Sequence, residues 1–161
     1  GLRVMNQKIR DRELKKYYLC IVHGTLPRPA GRLEGYILKD EAKKEVTVSS
    51  RPRPGAKTAV TLYETLAVRN GLSLVRCQLI TGRTHQIRAQ FAAAGHPLLG
   101  DGKYGSERQN KRYGRSYQAL YSYRLEFCFT TDAGALAPLD GQQFQVEQVD
   151  FVTEYFPGFS L

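Results

Sequence analysis

One stretch of 27 residues, residues 79–105, combines the side chains of this sequence that are best suited to chemistry. It contains Arg83, His85 and Arg88 within six residues, and Asp101 is its only acid. Guanidinium and imidazole groups bind phosphates and carboxylates through charge and directed hydrogen bonds. The residue types therefore predict an anion-binding site.

The elements on both sides place these side chains where a strand gives way to a helix. Residues 72–80 alternate apolar and polar side chains, which is typical of a half-buried strand. Ile87, Phe91 and Ala94 then recur at helical spacing, and Gly95 suits a left-handed helix end. Because the first turn of a helix has free N–H groups and the positive end of the helix dipole, we expect a phosphate or a carboxylate at this junction.

The charge of the chain is divided unevenly. Residues 1–124 contain all 24 Lys and Arg with 9 Asp and Glu, a net charge of +15, whereas residues 125–161 contain six acids and no Lys or Arg. Residues 103–124 interleave six cations with five tyrosines. Such a segment can hold RNA, with tyrosine faces on bases and cations on phosphates, or it can be a solvated loop with buried tyrosines. The composition alone leaves both interpretations open.

Four segments carry a resemblance to a known family. Residues 11–18 read DRELKKYY, residues 57–63 read KTAVTLY, and residues 118–120 read QAL. Together with residues 79–105, they resemble, in the same order, the R-x-x-K-K-x-Y, K-x-A-x-T-x-Y, late-strand and motif III segments of the RluA-type pseudouridine synthases. These enzymes isomerise uridine to pseudouridine in structured RNA.

The resemblance implies an isomerase that works without a cofactor or a metal. The reaction breaks the bond between uracil N1 and the sugar, turns the base, joins C5 to C1′ and removes the C5 proton. By likeness to motif III, Arg88 pairs with the nucleophilic aspartate and keeps it ionised and oriented. By the same likeness, Tyr18 is expected to stack on the target base and to assist with the C5 proton. The resemblance also implies that Asp101 closes a turn and is not the nucleophile.

The other basic residues of these segments are expected to contact the RNA partner, a ribosomal or a transfer RNA. Some would hold phosphates and others would fix the loops around the site. The expected RNA-binding residues are Lys16, Lys57, Arg83, His85, Lys103, Arg108, Lys111, Arg112 and Arg115.

The family's nucleophile lies in an H-R-L-D signature, and no such string occurs in the 161 residues. The expectation is therefore that residues 1–161 form the C-terminal portion of a catalytic domain, as a single unit that has no activity alone. Arg88, without its carboxylate partner, would then bind an anion or turn toward water. Two other interpretations stay open: a non-catalytic RNA-binding module derived from a synthase, and an unrelated small-anion enzyme using Arg83, His85 and Asp101.

The predicted fold class is α+β, with a mixed, mainly antiparallel sheet and few helices, as in a partial pseudouridine synthase core. Asn70 and Gly71 predict a type I′ hairpin turn. The patterns predict a helix over residues 2–14 and strands over residues 17–23, 32–39, 45–49, 58–68, 72–80, 118–129 and 144–149.

The three cysteines, Cys20, Cys77 and Cys128, are far apart and lie in apolar runs, which favours buried reduced thiols over a disulfide or a zinc site. The sequence has no apolar run near the length of a membrane span. We therefore expect a cytoplasmic protein that acts as a monomer, without membrane or metal.

Overall fold

A seven-stranded sheet forms the body of the computed structural model, which describes residues 14–128 and 134–161. Neighbouring strands pair antiparallel throughout these residues, so the predicted α+β class with a mainly antiparallel sheet is confirmed. The sheet order is β3-β2-β4-β5-β1-β6-β7. The strands are β1 (Leu14–His23), β2 (Ala30–Asp40), β3 (Glu45–Ser49), β4 (Lys57–Arg69), β5 (Leu72–Leu79), β6 (Leu120–Phe127) and β7 (Gln143–Gln145).

Within the residues that the structure describes, three α-helices and a 3-10 helix accompany the sheet. They are α1 (Gln86–Ala93), α2 (Glu107–Tyr113), α3 (Asp150–Tyr155) and the 3-10 helix Gly134–Leu139. Within residues 14–128 and 134–161, none of the helices has the length and apolar character needed to cross a membrane.

The two faces of the sheet bury different clusters because successive side chains of a strand point to opposite sides. On the front face, Cys20 and Val22 of β1 pack with Ile87 and Phe91 of α1. On the back face, residues of β1 such as Leu19 pack against α3. The central strand β1 therefore contributes to both halves of the core.

The turns confirm the predictions made from glycine and asparagine. Asn70 and Gly71 have φ values of 52° and 75°, as a type I′ hairpin requires. Gly95, with a φ of 87°, follows the end of α1 as predicted.

The predicted strands agree with β1 to β6 to within two residues at most ends. The predicted helix over residues 2–14 falls almost wholly outside the described residues, and its last residue, Leu14, is the first of β1. The last predicted strand is wrong in extent, because only Gln143–Gln145 pair with β6 and residue 150 starts α3.

Helix α2 lies in a segment for which the sequence patterns predict no helix. It presents no apolar stripe, since Asn110 is its only buried residue. The signal that could have revealed it is its capping: the side chain of Ser106 accepts a hydrogen bond from Gln109 N–H, and Gly114 ends the helix with a φ of 70°.

The cysteine prediction is correct for two residues and wrong for the third. Cys20 and Cys77 are buried and free, with their sulfurs 3.9 Å apart. Cys128 is exposed, because β6 ends at Phe127 and the following residue leaves the sheet.

The loop that follows α1, residues 97–105, is fixed by close backbone contacts and is called here the Asp101 loop. Gly100 has a φ of +84°, and a Cβ at this position would lie 1.9 Å from the carbonyl oxygen of Tyr117. A Cβ at Gly105 would lie 2.4 Å from the carbonyl oxygen of Asp101. The loop path is therefore available only to glycine at these two positions.

Gly100→Ala should lower the free energy of unfolding by about 3 kcal/mol, because it combines a backbone clash with a left-handed φ. Gly102→Ala is the matched control, since a Cβ there meets nothing within 4 Å. It should change stability by less than about 0.5 kcal/mol. Urea unfolding of both variants checks the prediction, and an equal loss in both would contradict it.

Candidate active site

The junction between β5 and α1 is held by one buried side chain, Gln86. Its amide group donates to the carbonyl oxygen of Val60 at 3.0 Å and to Thr61 Oγ1 at 2.8 Å. Its carbonyl oxygen accepts from Thr81 Oγ1 at 2.6 Å and from Arg83 N–H at 3.0 Å. All the hydrogen-bonding capacity of this amide is used, so its orientation and the turn it holds are fixed.

A second glutamine, one turn later, ties the same helix to the sheet. Gln90 Oε1 accepts from Thr61 Oγ1 at 2.6 Å, and its amide nitrogen lies 3.2 Å from the carbonyl oxygen of Ala59. Sequence reasoning missed this pair. The signal was present, because Gln86 and Gln90 lie four residues apart on the apolar side of an amphipathic helix.

The backbone donors at the start of α1 are partly used within the chain. Gln86 N–H donates to the carbonyl oxygen of Arg83 at 3.2 Å, and Arg83 N–H donates to the Gln86 side chain. His85 caps the helix in a left-handed conformation, with a φ of 51°. An anion at this junction would therefore depend more on side chains than on the helix end that the sequence pattern suggested.

Arg88 forms a bidentate ion pair with Asp101. Nε donates to Oδ2 at 2.8 Å and Nη2 donates to Oδ1 at 3.0 Å, while the guanidinium carbon lies 5.2 Å from the centre of the Tyr104 ring. The Arg88 side chain is 13% exposed and that of Asp101 is fully buried. Neither group is left uncompensated inside the protein.

The prediction that Arg88 lacks a carboxylate partner within the chain is wrong. A buried guanidinium requires an acceptor, and the Asp101 loop folds back over α1 to supply it. Asp101 also closes the turn that the resemblance implied, since Oδ1 accepts from the N–H groups of Lys103 and Tyr104 at 2.9 and 3.0 Å. The sequence pointed only to the partner's identity, because Asp101 is the only acid in residues 79–105.

The interactions of the pair shift both ionisation equilibria. Burial alone raises the pKa of the Asp101 carboxyl, but the Arg88 guanidinium and the two loop N–H groups outweigh it and lower the pKa. The hydrogen bond to Asp101 raises the pKa of Arg88, against the effect of burial. The pair is therefore fully ionised near neutral pH.

One amino group of Arg88 keeps its donors available. Within residues 14–128 and 134–161, Nη1 makes no hydrogen bond, whereas Nε and Nη2 are both used by Asp101. A guanidinium has five N–H donors in a fixed plane, so Arg88 can hold a second anion while it is paired.

His85 lies against Tyr104 rather than in open solvent. Its Nδ1 is 2.8 Å from the Tyr104 hydroxyl, which also accepts from Val46 N–H at 3.0 Å. Burial, followed by the positive charges of Arg88 and Lys103, lowers the pKa of His85. The imidazole is therefore mainly neutral at pH 7, so a contact with RNA would be made without a positive charge.

Tyr17 and Tyr18 lie on opposite faces of β1, because side chains alternate along a strand. Tyr18 packs on the front-face cluster beneath α1, while Tyr17 belongs to the back face, where the Arg124 guanidinium lies 4.9 Å from its ring. Lys16 also lies on the front face and lines a cavity of about 240 Å³ together with Thr81. Tyr18 and Lys16 thus share a sheet face with the helix that carries Arg88.

A second polar cavity adjoins the first across Gly82. It has a volume of about 220 Å³ and is lined by Lys57 and Arg83. Arg83 Nε donates to the carbonyl oxygen of Thr58 at 2.7 Å, which leaves its other donors for a ligand. Lys103, by contrast, lies outside both linings, and its Nζ donates to the carbonyl oxygen of Lys44 at 2.9 Å.

The structure separates the basic residues of α2 from this junction. Arg112 lines a cavity of about 520 Å³ with His23, at the opposite end of β1 from Lys16. Arg108 and Lys111 are exposed on the same helix.

Arg115, the remaining basic residue of this segment, has structural partners. It lies over Phe151, with 5.5 Å between the guanidinium carbon and the ring centre, and its Nη1 is 3.8 Å from Glu154 Oε2. The expected RNA-binding residues therefore form two groups, and Arg115 is occupied within the fold.

The tyrosines of residues 103–124 also divide into two kinds. Tyr113 donates to the carbonyl oxygen of Asn70 at 2.6 Å, Tyr104 packs beside Arg88, and Tyr123 is in the core. Tyr117 and Tyr121 are 70% and 47% exposed. Only these last two have free faces for stacking on bases.

The described residues contain no group of three or more His, Cys, Asp or Glu side chains placed to hold a metal ion.

Comparisons with known proteins agree with the resemblance found in the sequence. Residues 1–93 match the profile of the RNA pseudouridylate synthase family. The chain belongs to this family. It is 38% identical over 104 residues to the RNA pseudouridine synthase YhcT of Bacillus subtilis, covering 63% of this chain and 33% of that protein.

Two further similarities concern another relative and the fold. The chain is 31% identical over 136 residues to the ribosomal large subunit pseudouridine synthase C of Escherichia coli, covering 81% of this chain and 41% of that protein. The structure of human RNA pseudouridylate synthase domain containing 4 superposes with a TM-score of 0.69 at 22% identity, covering 92% of this chain and 63% of that one. The chain spans less than half the length of these two bacterial relatives.

The Arg88–Asp101 ion pair should make the free energy of unfolding depend on pH in the acidic range. A lowered native pKa stabilises the fold above the unfolded value of about 3.9, and this contribution is lost as pH falls through the native pKa. The free energy of unfolding of the wild type should therefore fall more steeply below about pH 4 than that of Asp101→Asn. Urea unfolding at a series of pH values measures both curves, and parallel curves would refute the prediction.

Proposed function

We propose that the complete gene product isomerises uridine to pseudouridine in structured RNA. The observation that carries the proposal is the geometry of Arg88, a nearly buried guanidinium with a fixed plane and one free amino group, in a family of pseudouridylate synthases. Such a group can fix the carboxylate that the isomerisation requires.

The chemistry assigns one task to each part of the site. A carboxylate attacks the nucleotide, or stabilises positive charge at the sugar, while the N1 bond breaks. Arg88 holds that carboxylate ionised and oriented through its free Nη1 donors. Tyr18, on the same sheet face, covers the base and assists removal of the C5 proton.

Asp101 is a poor candidate for the nucleophile. It is fully buried, both its oxygens accept from Arg88, and Oδ1 also accepts two loop N–H groups. The H-R-L-D signature does not occur in residues 1–161. We therefore propose that these residues are the C-terminal portion of the catalytic domain and that the nucleophile lies outside them.

The partner is proposed to be RNA, held by two basic surfaces. Lys16, Lys57 and Arg83 surround the paired cavities beside Gly82, where phosphates of the target strand would lie. The exposed cations of α2 would hold a second part of a structured RNA. Because the Escherichia coli relative is a ribosomal large subunit pseudouridine synthase, we favour ribosomal over transfer RNA.

We further propose a monomer that needs no cofactor and works in the cytoplasm. The free buried thiols of Cys20 and Cys77 support the last point, since adjacent reduced cysteines are typical of reducing compartments.

A non-catalytic RNA-binding module is the second candidate. The neutralisation of Arg88 by Asp101 favours it, because such a pair is stable without any further carboxylate. The small-anion enzyme built on Arg83, His85 and Asp101 has less support. The Asp101 side chain is fully buried, and His85 Nδ1 is hydrogen-bonded to the Tyr104 hydroxyl.

The complete gene product should release tritium from [5-³H]uridine-labelled ribosomal RNA, whereas residues 1–161 alone should not, because no nucleophile is present among them. Arg88→Lys should reduce kcat in the complete gene product by about 10²-fold or more, since an ammonium cannot reproduce the planar fork. Arg69→Lys, at the exposed end of β4, is the matched control and should keep full kcat. A complete gene product that binds RNA without releasing tritium would instead support the non-catalytic module.

Binding of the complete gene product to RNA should weaken steeply as salt rises, because phosphate contacts release counterions. Replacing Arg108, Lys111 and Arg112 together by Gln should flatten the slope by roughly 0.7 log units per lost contact on single-stranded RNA. Arg115 is left intact because it supports α3. Filter binding over a salt series measures the slope, and an unchanged slope would show that α2 does not contact RNA.

A further inference from the structure

Arg88 already has a carboxylate partner, so its part in any reaction depends on what that partner does. Asp101 uses Nε and Nη2, which form one edge of the guanidinium plane. The opposite edge, with Nη1, is left for another acceptor. The geometry thus makes Arg88 a bridge between a fixed carboxylate and a second anion.

Asp101 is itself held by a second layer of contacts. Oδ1 accepts from the N–H groups of Lys103 and Tyr104, and the Asp101 carbonyl accepts from Asn110 Nδ2 at 3.1 Å. Asn110 is 4% exposed, and its Oδ1 accepts from Gly100 N–H at 2.8 Å.

The same Asn110 oxygen reaches the sheet. It lies 2.8 Å from Nε2 of His23, the last residue of β1. Asp101, which orients Arg88, is therefore connected through Asn110 of α2 to β1, the strand that carries Tyr18.

We propose that Asp101 is a positioning residue of the isomerase, which fixes the plane of the Arg88 guanidinium so that its free edge meets the nucleophilic carboxylate. The inference rests on the proposed function. Asp101 touches neither the base nor the sugar, and it acts through Arg88 alone.

The charge balance shows why orientation is the contribution of Arg88. The Arg88–Asp101 pair has no net charge, so Arg88 cannot act on a distant carboxylate as a simple point cation. What it offers is a set of directed N–H donors at a fixed position, and a displacement of about 1 Å in such a group can cost about 10²-fold in rate. Net positive charge would come from Lys16, Lys57 and Arg83 around the adjoining cavities.

Asp101→Asn separates this role from turn formation. The retained Oδ1 can still accept the two loop N–H groups and Nη2, whereas an NH₂ group replaces the oxygen that accepts from Arg88 Nε. The turn is kept and the orienting contact is lost.

The test is a double-mutant cycle in the complete gene product, with kcat and KM for ribosomal RNA measured by tritium release. Asp101→Asn should lower kcat about 10- to 100-fold with KM changed less than about 2-fold. In an Arg88→Lys background the same substitution should cost less than about 2-fold, because the contact that it removes no longer exists. Asp40→Asn, at the exposed end of β2, controls for the loss of a carboxylate and should leave kcat unchanged.

The outcomes separate the inference from the proposed function. An inactive wild type would overturn the proposed function. An active wild type with unchanged kcat in Asp101→Asn, or equal losses with and without Arg88, would overturn the positioning role alone.

If Asp101→Asn does not fold, Arg88→Ala provides the same test. Ethylguanidinium should restore activity to that variant because Asp101 offers two acceptors for a planar fork, whereas ethylammonium should not. Equal rescue by both cations would overturn the inference.

Discussion

A buried guanidinium must find a carboxylate within the protein, and this requirement shapes the loop, helix and strand around Arg88. Removing one partner of such a pair typically costs about 3–5 kcal/mol, because the remaining charge stays desolvated. Asp101 can reach Arg88 only if the chain turns sharply after α1. The glycine at position 100 permits that turn, since any larger residue there would overlap the Tyr117 carbonyl.

Helix α2 can be understood as a support for this pair. Its only buried residue, Asn110, contacts Gly100, Asp101 and His23, and Tyr113 at its end packs partly against the core, while residues 107–109, 111 and 112 are polar and exposed. His23 is the last residue of strand β1, which also carries Tyr18 on the face beneath α1. β1 thus carries Tyr18 and, through His23 and Asn110, contacts the Asp101 loop that pairs with Arg88.

The sequence predicted the sheet well because alternation and turn residues report local geometry. β3 matches its predicted bounds, and the Asn70 turn has the predicted conformation. Sequence patterns did not predict the features that depend on residues far apart in the chain. The α2 helix has no apolar periodicity, and the Arg88–Asp101 pair depends on a loop closure that no local pattern encodes. Similarly, the six cations of residues 103–124 look like one surface in the sequence, yet the fold directs Arg115 to Glu154 and Lys103 to Lys44.

The claim that Asp101 immobilises Arg88 can be measured directly by ¹⁵N relaxation of arginine side chains. In the complete gene product, Nε of Arg88 should show an order parameter near that of rigid backbone, about 0.85, and its Hε should exchange slowly with solvent. Arg112, exposed on α2, provides the mobile reference. In Asp101→Asn, the Arg88 signal should move toward that reference. If Arg88 is as mobile as Arg112 in the wild type, the fixed guanidinium on which this account depends does not exist.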